Sequence, residues 1–152
     1  MKKFTITMIF MFIALMVFPQ KKYEYKVITS VESIVPMGLG RSRIIETKEE
    51  TNAANFTTQR TNGKKSHQKE AKRSEAKVNN FAETKLLNFY SGVGINFQNI
   101  ASNDALITDV INKVINEGWE LAFVASGVES DAGKGDGKGL FITRYIFKRA
   151  VK

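Results

Sequence analysis

The sequence predicts a small two-layer α+β domain in which an antiparallel sheet of about 3–5 strands packs against one main helix. Two observations favour this class. Stretches near both ends of the chain alternate apolar and polar residues with a period of two, and one stretch between them repeats apolar residues every three or four positions. The 152 residues suffice for a single domain, which we expect over residues 21–152.

The first 20 residues indicate a secretory signal peptide rather than part of the fold. Lys2 and Lys3 precede an uncharged, mostly apolar run over residues 4–18. This order is typical of a signal peptide, and the run is shorter than the roughly 20 apolar residues of a membrane-spanning helix. We therefore expect a secreted or periplasmic protein with no transmembrane span in the mature chain. The chain contains no cysteine, which excludes disulfides and thiolate chemistry.

The first two strands are predicted on either side of a turn. Residues 21–33 alternate between a row of tyrosine, valine and threonine and a row of more polar residues, which is typical of a half-buried strand. Pro36, Gly38 and Gly40 indicate a turn. Residues 42–47, "SRIIET", then predict a second strand that pairs back on the first as a hairpin.

A long polar insertion follows the second strand. Residues 48–80 are charged and poor in apolar side chains, so they bury too little surface to offset the entropy of ordering. We expect a basic, mobile loop there. Residues 81–90 regain apolar character with a spacing that fits either a helix face or a strand. Ile95 and Phe97 are expected to be buried anchors in the glycine-spaced connection that comes next.

The clearest predicted element is a helix over about residues 103–117. Ser102 or Asn103 supplies its N-cap, and Gly118 can adopt the left-handed conformation that ends a helix. The apolar residues form one stripe along the helix, as expected for packing against a sheet. This stripe consists of Leu106, Ile107, Val110, Ile111, Val114 and Ile115.

Two further strands are predicted after the helix, over residues 119–126 and 140–149. Strands joined by a single loop most simply pair antiparallel, and the helix then covers one face of the sheet. Trp119, the only tryptophan, begins the first of these strands on a face expected to include Leu121 and Phe123. We interpret Trp119 as a core residue that fixes the helix against the sheet. The inner rows of the sheet are expected to be phenylalanine, tyrosine and leucine.

Three short motifs resemble a family of small bacterial domains of unknown function. "YEYKV" lies at residues 23–27, "EGWEL" at 117–121 spans the helix exit, and "YIFKR" at 145–149 closes the last strand. Members of that family open on a Tyr-Glu-Tyr-Lys strand, carry a Gly-Trp-Glu-Leu helix exit and end in a Phe-Lys-Arg strand. The resemblance covers about residues 23–31 and 104–149. It implies the same fold and no particular activity.

Two glycine-containing loops are candidates for holding a small anion. Before the second strand, Arg41 and Arg43 can grip a phosphate or carboxylate through paired N–H donors; the competing interpretation is a turn with surface arginines. Between the last two strands, Lys134 and Lys138 accompany backbone N–H groups that can cradle an anion; the alternative is a solvated hairpin tip. Neither loop has the spacing of a P-loop, a dinucleotide-binding loop or an EF-hand.

Residue types suited to catalysis are scarce. His67 is the only histidine and lies in the insertion, where nothing is expected to hold it in place as a general base. The sequence has no histidine or cysteine cluster for a metal and no helix-spaced carboxylate pair. We therefore predict no catalytic residue, no metal site and no cofactor, which disfavours an enzyme.

The basic residues concentrate in the insertion. Residues 58–77 include seven cationic and two acidic side chains, which attract anionic partners in a salt-dependent way; the competing interpretation is a solvated, disordered loop. With Phe56 as the one nearby aromatic, stacking on nucleic acid has little support. We expect anionic envelope polymers or lipid head groups instead. The candidate contacts are Lys64, Lys65, Lys69, Lys72 and Arg73.

The leading hypothesis is an exported, non-enzymatic interaction module of the bacterial envelope that contacts anionic surface material through the insertion. The alternative is a small-anion binder or an enzyme that uses the 36–43 and 127–139 loops together. A third hypothesis is a structural subunit whose exposed edge strand pairs with itself or with another chain.

Overall fold

The computed structural model describes residues 21–33, 41–60, 63, 71–128 and 139–151. The predicted signal peptide lies outside these residues, as do Pro36, Gly38 and Gly40 of the first turn. Within the described part of the chain, no helix is long and apolar enough to cross a lipid bilayer.

Five strands form one antiparallel sheet, and two short strands form a separate hairpin. Among the described residues there is one α-helix, which in sequence lies between the short hairpin and the last two strands. The predicted α+β class, with a sheet of up to five strands and one main helix, is confirmed. The elements are β1 (Tyr23–Ser33), β2 (Arg43–Thr47), a short 3-10 helix (Ala53–Phe56), β3 (Phe81–Lys85), β4 (Tyr90–Ser91), β5 (Gly94–Ile95), α1 (Phe97–Asn116), β6 (Glu120–Val128) and β7 (Leu140–Ala150). The strand order in the sheet is β3-β2-β1-β7-β6, and β4 and β5 form the separate hairpin.

The central strand of the sheet is β1, which pairs with β2 on one side and with β7 along its whole length on the other. The predicted hairpin of β1 and β2 and the predicted pair of β6 and β7 are both confirmed. Residues 81–90, whose spacing fitted a helix or a strand, begin with β3. The pairing of Thr47 with Phe81 and of Arg43 with Lys85 extends the sheet by one more strand.

The helix begins at Phe97, six residues earlier than the spacing of its apolar stripe predicted. Asn96 is the N-cap, and its side-chain oxygen accepts a hydrogen bond from the Asn99 N–H at 3.1 Å. The prediction of Ser102 or Asn103 as the cap is therefore wrong, because both residues lie inside the helix. Gly118, with φ of 88°, ends the helix as predicted.

The core lies between the helix and one face of the sheet. Trp119 is 9% exposed and belongs to this core, which confirms its structural interpretation. Of the predicted helix stripe, the two outermost members, Leu106 and Ile115, are exposed. The buried core cluster comprises Ile28, Ile44, Leu86, Val114, Trp119 and Phe147, and Ile107, Val110, Ile111 and Tyr145 pack against it.

The inner row of β1 differs from the expected one. Ile28 and Ser30 are buried, whereas Tyr23, Tyr25 and Val27 are exposed on the opposite side of the strand. We call this side, which faces away from the helix, the open face of the sheet. Alternation predicts a strand but not which row points inward, since that choice depends on where the helix packs.

A register shift in β6 overturns the expected alignment of Phe123 with Trp119. The irregularity lies between Leu121, which pairs with Phe147, and Phe123, which pairs with Ile146. The extra residue moves Phe123 to the open face, where it is 65% exposed. The expectation that Ile95 and Phe97 are buried is also wrong: both are exposed, Phe97 at 77%.

Candidate functional site

A shallow groove on the open face brings together the two arginines that the sequence singled out. The pairing of Val31 with Arg43 and of Ile45 with Glu83 places charged and aliphatic residues side by side on three neighbouring strands. Arg41 lies just before β2. The groove has a volume of about 450 Å³, which is within the range of small-ligand pockets. Its lining residues are Val31, Arg41, Arg43, Ile45, Glu83 and Leu140.

The electrostatics of the groove limit what it can hold. Arg43 Nη1 lies 2.6 Å from Glu83 Oε1, and both side chains are partly exposed. This ion pair neutralises part of the positive charge, so an incoming anion has to compete with Glu83 for the Arg43 guanidinium. Arg41 is exposed at the rim. The groove therefore suits an amphipathic anion, whose apolar part can rest on the aliphatic floor.

Neither Glu83 nor the aliphatic floor of this groove was predicted from the sequence. The available signal was the alternation of β1 and β2, which places Val31 and Ile45 on one side of their strands. Assigning that side to the groove requires the register of β2 against β3, and the sequence left residues 81–90 open between helix and strand.

The two strands that flank the second predicted anion loop end at the same end of the sheet as the groove. Leu140 pairs with Ser33, and Val128 pairs with Phe141, so the strands on both sides of this loop end beside the last residue of β1. The predicted ligand residues Lys134 and Lys138 lie outside the described residues.

The basic insertion leaves and rejoins the sheet at one point. It connects β2 to β3, and the Lys48 N–H donates a hydrogen bond to the Asn80 carbonyl oxygen at 2.9 Å. The Glu49 carboxylate accepts hydrogen bonds from the N–H groups of Asn79 and Asn80 at 2.7 and 3.0 Å. The bonds from Asn80 and then Asn79 lower the pKa of Glu49 below its usual value. The insertion is thus the loop of a β-hairpin with a closed base.

Two of the five predicted anion contacts of the insertion are described. Lys72 and Arg73 are exposed in a turn, where Lys72 Nζ lies 3.8 Å from Glu75 Oε1. At this distance and exposure the ion pair contributes little and leaves both cations facing water. The other three contacts, Lys64, Lys65 and Lys69, and His67 lie outside the described residues.

Two cationic side chains lie over the ring of Trp119. The guanidinium carbon of Arg149 and the Lys26 ammonium lie 4.3 and 5.3 Å from the ring centre. Lys26 Nζ is also 3.2 Å from carboxylate oxygens of both Glu46 and Glu117. Cation–π contacts and ion pairs therefore fix the ring where the helix meets the sheet.

The Glu46 carboxyl belongs to the group of charged side chains next to Trp119. Burial alone raises its pKa, but Lys48 at 2.7 Å and Lys26 at 3.2 Å outweigh that effect, and the pKa lies below its usual value. Glu46 is therefore held in its charged form by two lysines.

A buried polar cluster lies at the other end of the helix. The fully buried Asn103 side chain accepts from the Leu87 N–H at 2.8 Å and donates to the Leu87 carbonyl oxygen at 2.7 Å and to Glu32 Oε1 at 3.1 Å. Burial raises the pKa of Glu32; the Asn103 hydrogen bond opposes this shift and the charge of Asp104 adds to it. These bonds tie the chain after β3 to the helix, which is a structural role.

Metal chemistry has no support in the described ranges, where no group of three or more histidine, cysteine or acidic side chains is placed to hold an ion. No family model, no curated protein and no solved structure matches this chain. The resemblance to the small bacterial domain family stays a prediction.

Proposed function

We propose that this protein is an exported, non-enzymatic binding module of the bacterial envelope that contacts anionic polymers or lipid head groups through the insertion at residues 48–80. The observation that carries the proposal is the closed base of the insertion. Because Lys48 and Asn80 are hydrogen-bonded at the end of the β2–β3 hairpin, the insertion is presented as a loop at the edge of a folded sheet.

Among the described residues, the buried core contains none from the insertion. All six residues of the buried cluster come from β1, β2, the segment after β3, the helix, its exit and β7. The insertion can therefore carry a composition suited to binding without weakening the packing that holds the domain together. This division between scaffold and presented loop is common in binding proteins.

The charge of the loop indicates the partner. Seven cations and two acidic side chains in residues 58–77 give this segment a local excess of positive charge. Near an anionic membrane surface each such cation contributes about 1 kcal/mol, and the attraction falls off within a Debye length. An acidic polysaccharide offers the same chemistry in soluble form.

Neutralising the predicted contacts tests the proposal. We expect replacement of five cations by glutamine to weaken binding to vesicles with anionic phospholipid by roughly tenfold or more at low salt. A soluble acidic polysaccharide, titrated in parallel, distinguishes a polymer partner from a lipid surface. The five substitutions are Lys64→Gln, Lys65→Gln, Lys69→Gln, Lys72→Gln and Arg73→Gln.

A matched control removes the same number of charges from the scaffold. If binding is weakened equally by the control set, the attraction reflects net charge alone and the insertion has no special role. Absence of binding to either anionic probe by the unmodified protein also rejects the proposal. The control substitutions are Lys21→Gln, Lys22→Gln, Lys85→Gln, Lys113→Gln and Arg144→Gln, all at exposed positions.

The groove supports a second candidate function, the binding of a small amphipathic anion. Its support is the convergence of Arg41 and Arg43 over an aliphatic floor. Titration of short-chain fatty acids and of alkyl phosphates by calorimetry tests it. We expect Arg41→Ala and Arg43→Ala each to abolish binding, while Lys113→Ala on the helix leaves it unchanged. Equal binding by all three variants rejects the groove as the site.

A further inference from the structure

We infer that the protein associates with a second copy of itself by antiparallel pairing of β6 with β6, which joins two five-stranded sheets into one ten-stranded sheet. The inference is independent of the proposed function. It starts from the position of β6, which is an edge strand: within the described part of the chain, no strand lies beyond it.

Within the described part of the chain, the β6 edge lacks most of the features that usually prevent pairing, and its one bulge lies near its start. Natural edge strands are protected by short length, proline, lysine or a covering helix or loop. β6 is nine residues long, its sequence "ELAFVASGV" contains neither proline nor lysine, and its one charged residue, Glu120, lies at the first position. Its bulge lies between Leu121 and Phe123, which leaves residues 123–128 as a regular strand about 20 Å long.

Both faces of β6 expose apolar side chains. Val124 and Val128 pair with Tyr145 and Phe141 on the helix side of the sheet, yet they are 53% and 59% exposed, because the core cluster involves β1, β2 and β7 but not β6. Phe123 is exposed on the open face. Leu121 adds a third partly exposed apolar side chain on the helix side, so this edge carries unburied apolar surface on both faces of the sheet.

A second copy fits this edge better than an unrelated segment because the strand is complementary to itself. A two-fold axis through Val124 places Phe123 of each copy opposite Ala125 of the other, and an axis through Ala125 places it opposite Gly127. In both registers a large side chain meets a small one, and the two Glu120 carboxylates stay at opposite ends of the joint strands.

The size of the contact sets the expected affinity. A standard interface buries about 800 Å² per partner, and the exposed apolar surface of β6 is smaller than this. We therefore expect a reversible dimer whose population rises over roughly 1–100 μM protein, the range of weak interfaces. The β2–β3 hairpins would lie at the two outer edges of the joint sheet, so a dimer carries two basic insertions; this consequence alone rests on the proposed function.

The dimer is measured by sedimentation of the protein after expression of the full chain and processing by the cell. We expect Val124→Lys to shift the equilibrium to monomer, since a charge then faces its own copy. Two controls replace exposed aliphatic residues elsewhere, Ile115→Lys on the helix and Val27→Lys on the open face, and should leave the dimer intact. Circular dichroism confirms that each variant is folded.

Cross-linking reports which edge is used. Because the chain has no cysteine, a disulfide can form only between introduced thiols. Mild oxidation of Val124→Cys or Ala125→Cys should give a covalent dimer, whereas Lys85→Cys on the opposite edge strand should not. The inference is overturned by a monomer at 100 μM, by a dimer that Val124→Lys leaves intact, by a dimer that Val27→Lys dissociates instead, or by equal cross-linking at Lys85→Cys.

Discussion

The Arg149 guanidinium carbon lies 4.3 Å from the centre of the Trp119 ring, and the same guanidinium donates from Nε to Glu24 Oε1 at 2.7 Å. The last strand thus holds, through one side chain, both the indole at the helix exit and the start of β1. Lys26 approaches the same ring. These contacts join the two ends of the described chain to the core at the helix exit.

Removing the Trp119 indole should strongly lower the stability of the fold. We expect Trp119→Ala to lower the free energy of unfolding by about 3–5 kcal/mol, because a buried aromatic ring is lost and a cavity is left. Arg149→Met should cost about 0.5–1 kcal/mol, since its side chain is partly exposed and the cation–π contact is weak there. Urea unfolding measures both. A Trp119→Ala variant as stable as the unmodified protein would contradict the placement of the ring in the core.

Two buried serines should respond in opposite directions. Ser30 Oγ has no hydrogen-bond partner among the described residues, whereas Ser42 Oγ accepts from the Ser33 N–H at 2.9 Å and donates to Asn88 Oδ1 at 2.8 Å. We expect Ser30→Ala to raise the unfolding free energy by about 1 kcal/mol and Ser42→Ala to lower it by about 1–3 kcal/mol. Thermal unfolding of the two variants side by side checks the prediction, which fails if both lose stability equally.

Glu32 and Glu46 should give opposite dependences of stability on pH. The pKa of Glu32 is raised, so its contribution to stability is fully present below the unfolded pKa of about 4.3 and is lost as pH rises through the folded pKa. Glu32→Gln can still accept from Asn103, and it should be more stable than the unmodified protein at pH 7. That advantage should shrink as the pH falls toward 4.

The pKa of Glu46 is lowered, so its contribution is present above the unfolded pKa and is lost as pH falls through the folded value. Glu46→Gln should therefore be less stable than the unmodified protein at pH 7, with the difference vanishing in acid. Urea titrations from pH 3 to 7 compare the two variants. Parallel pH profiles for both would show that the assigned environments are wrong.

Gly118 and Gly127 offer a matched test of backbone conformation. Gly118 has φ of 88°, where an L side chain is strained, and the neighbouring Arg149 side chain would remain in ordinary contact at 3.9 Å from an added Cβ. Gly118→Ala should therefore cost about 1–2 kcal/mol from the backbone alone. Gly127 has open space around it in β6, so Gly127→Ala should be neutral or stabilising by about 0.5 kcal/mol. Equal effects in thermal unfolding would rule out this difference.

Periodicity predicted most elements of the fold because strands and helices leave different local signatures. It could not predict which side of β1 is buried, since Ile28 and Val27 are both aliphatic and the choice depends on the helix. The bulge before Phe123 also has no local signature, and it reverses the face of every later residue in β6. The first residue of the helix could not be predicted either, because its N-cap, Asn96, is one of several potential caps in that segment.

Only those residues of the candidate sites that are evident from the local sequence could be predicted. Arg41 and Arg43 stand out in the sequence, and they do line one groove. Glu83 lies about 40 positions away along the chain, so its ion pair with Arg43 depends on how β3 pairs with β2. Asn103 was predicted to be a helix cap. Its hydrogen bonds to Leu87 could not be predicted, because they form only when the segment after β3 packs against the helix.

The most direct test concerns the independence of the scaffold from the insertion it presents. Residues 51–77 are replaced by a short Gly-Ser linker, which keeps the hydrogen bonds of Lys48, Glu49, Asn79 and Asn80, and urea unfolding is followed by Trp119 fluorescence. We predict a cooperative transition with an unfolding free energy within about 1 kcal/mol of the unmodified protein, because loop-closure entropy changes slowly with length. A loss of cooperative unfolding, or of the buried indole emission, would show that the insertion is part of the core.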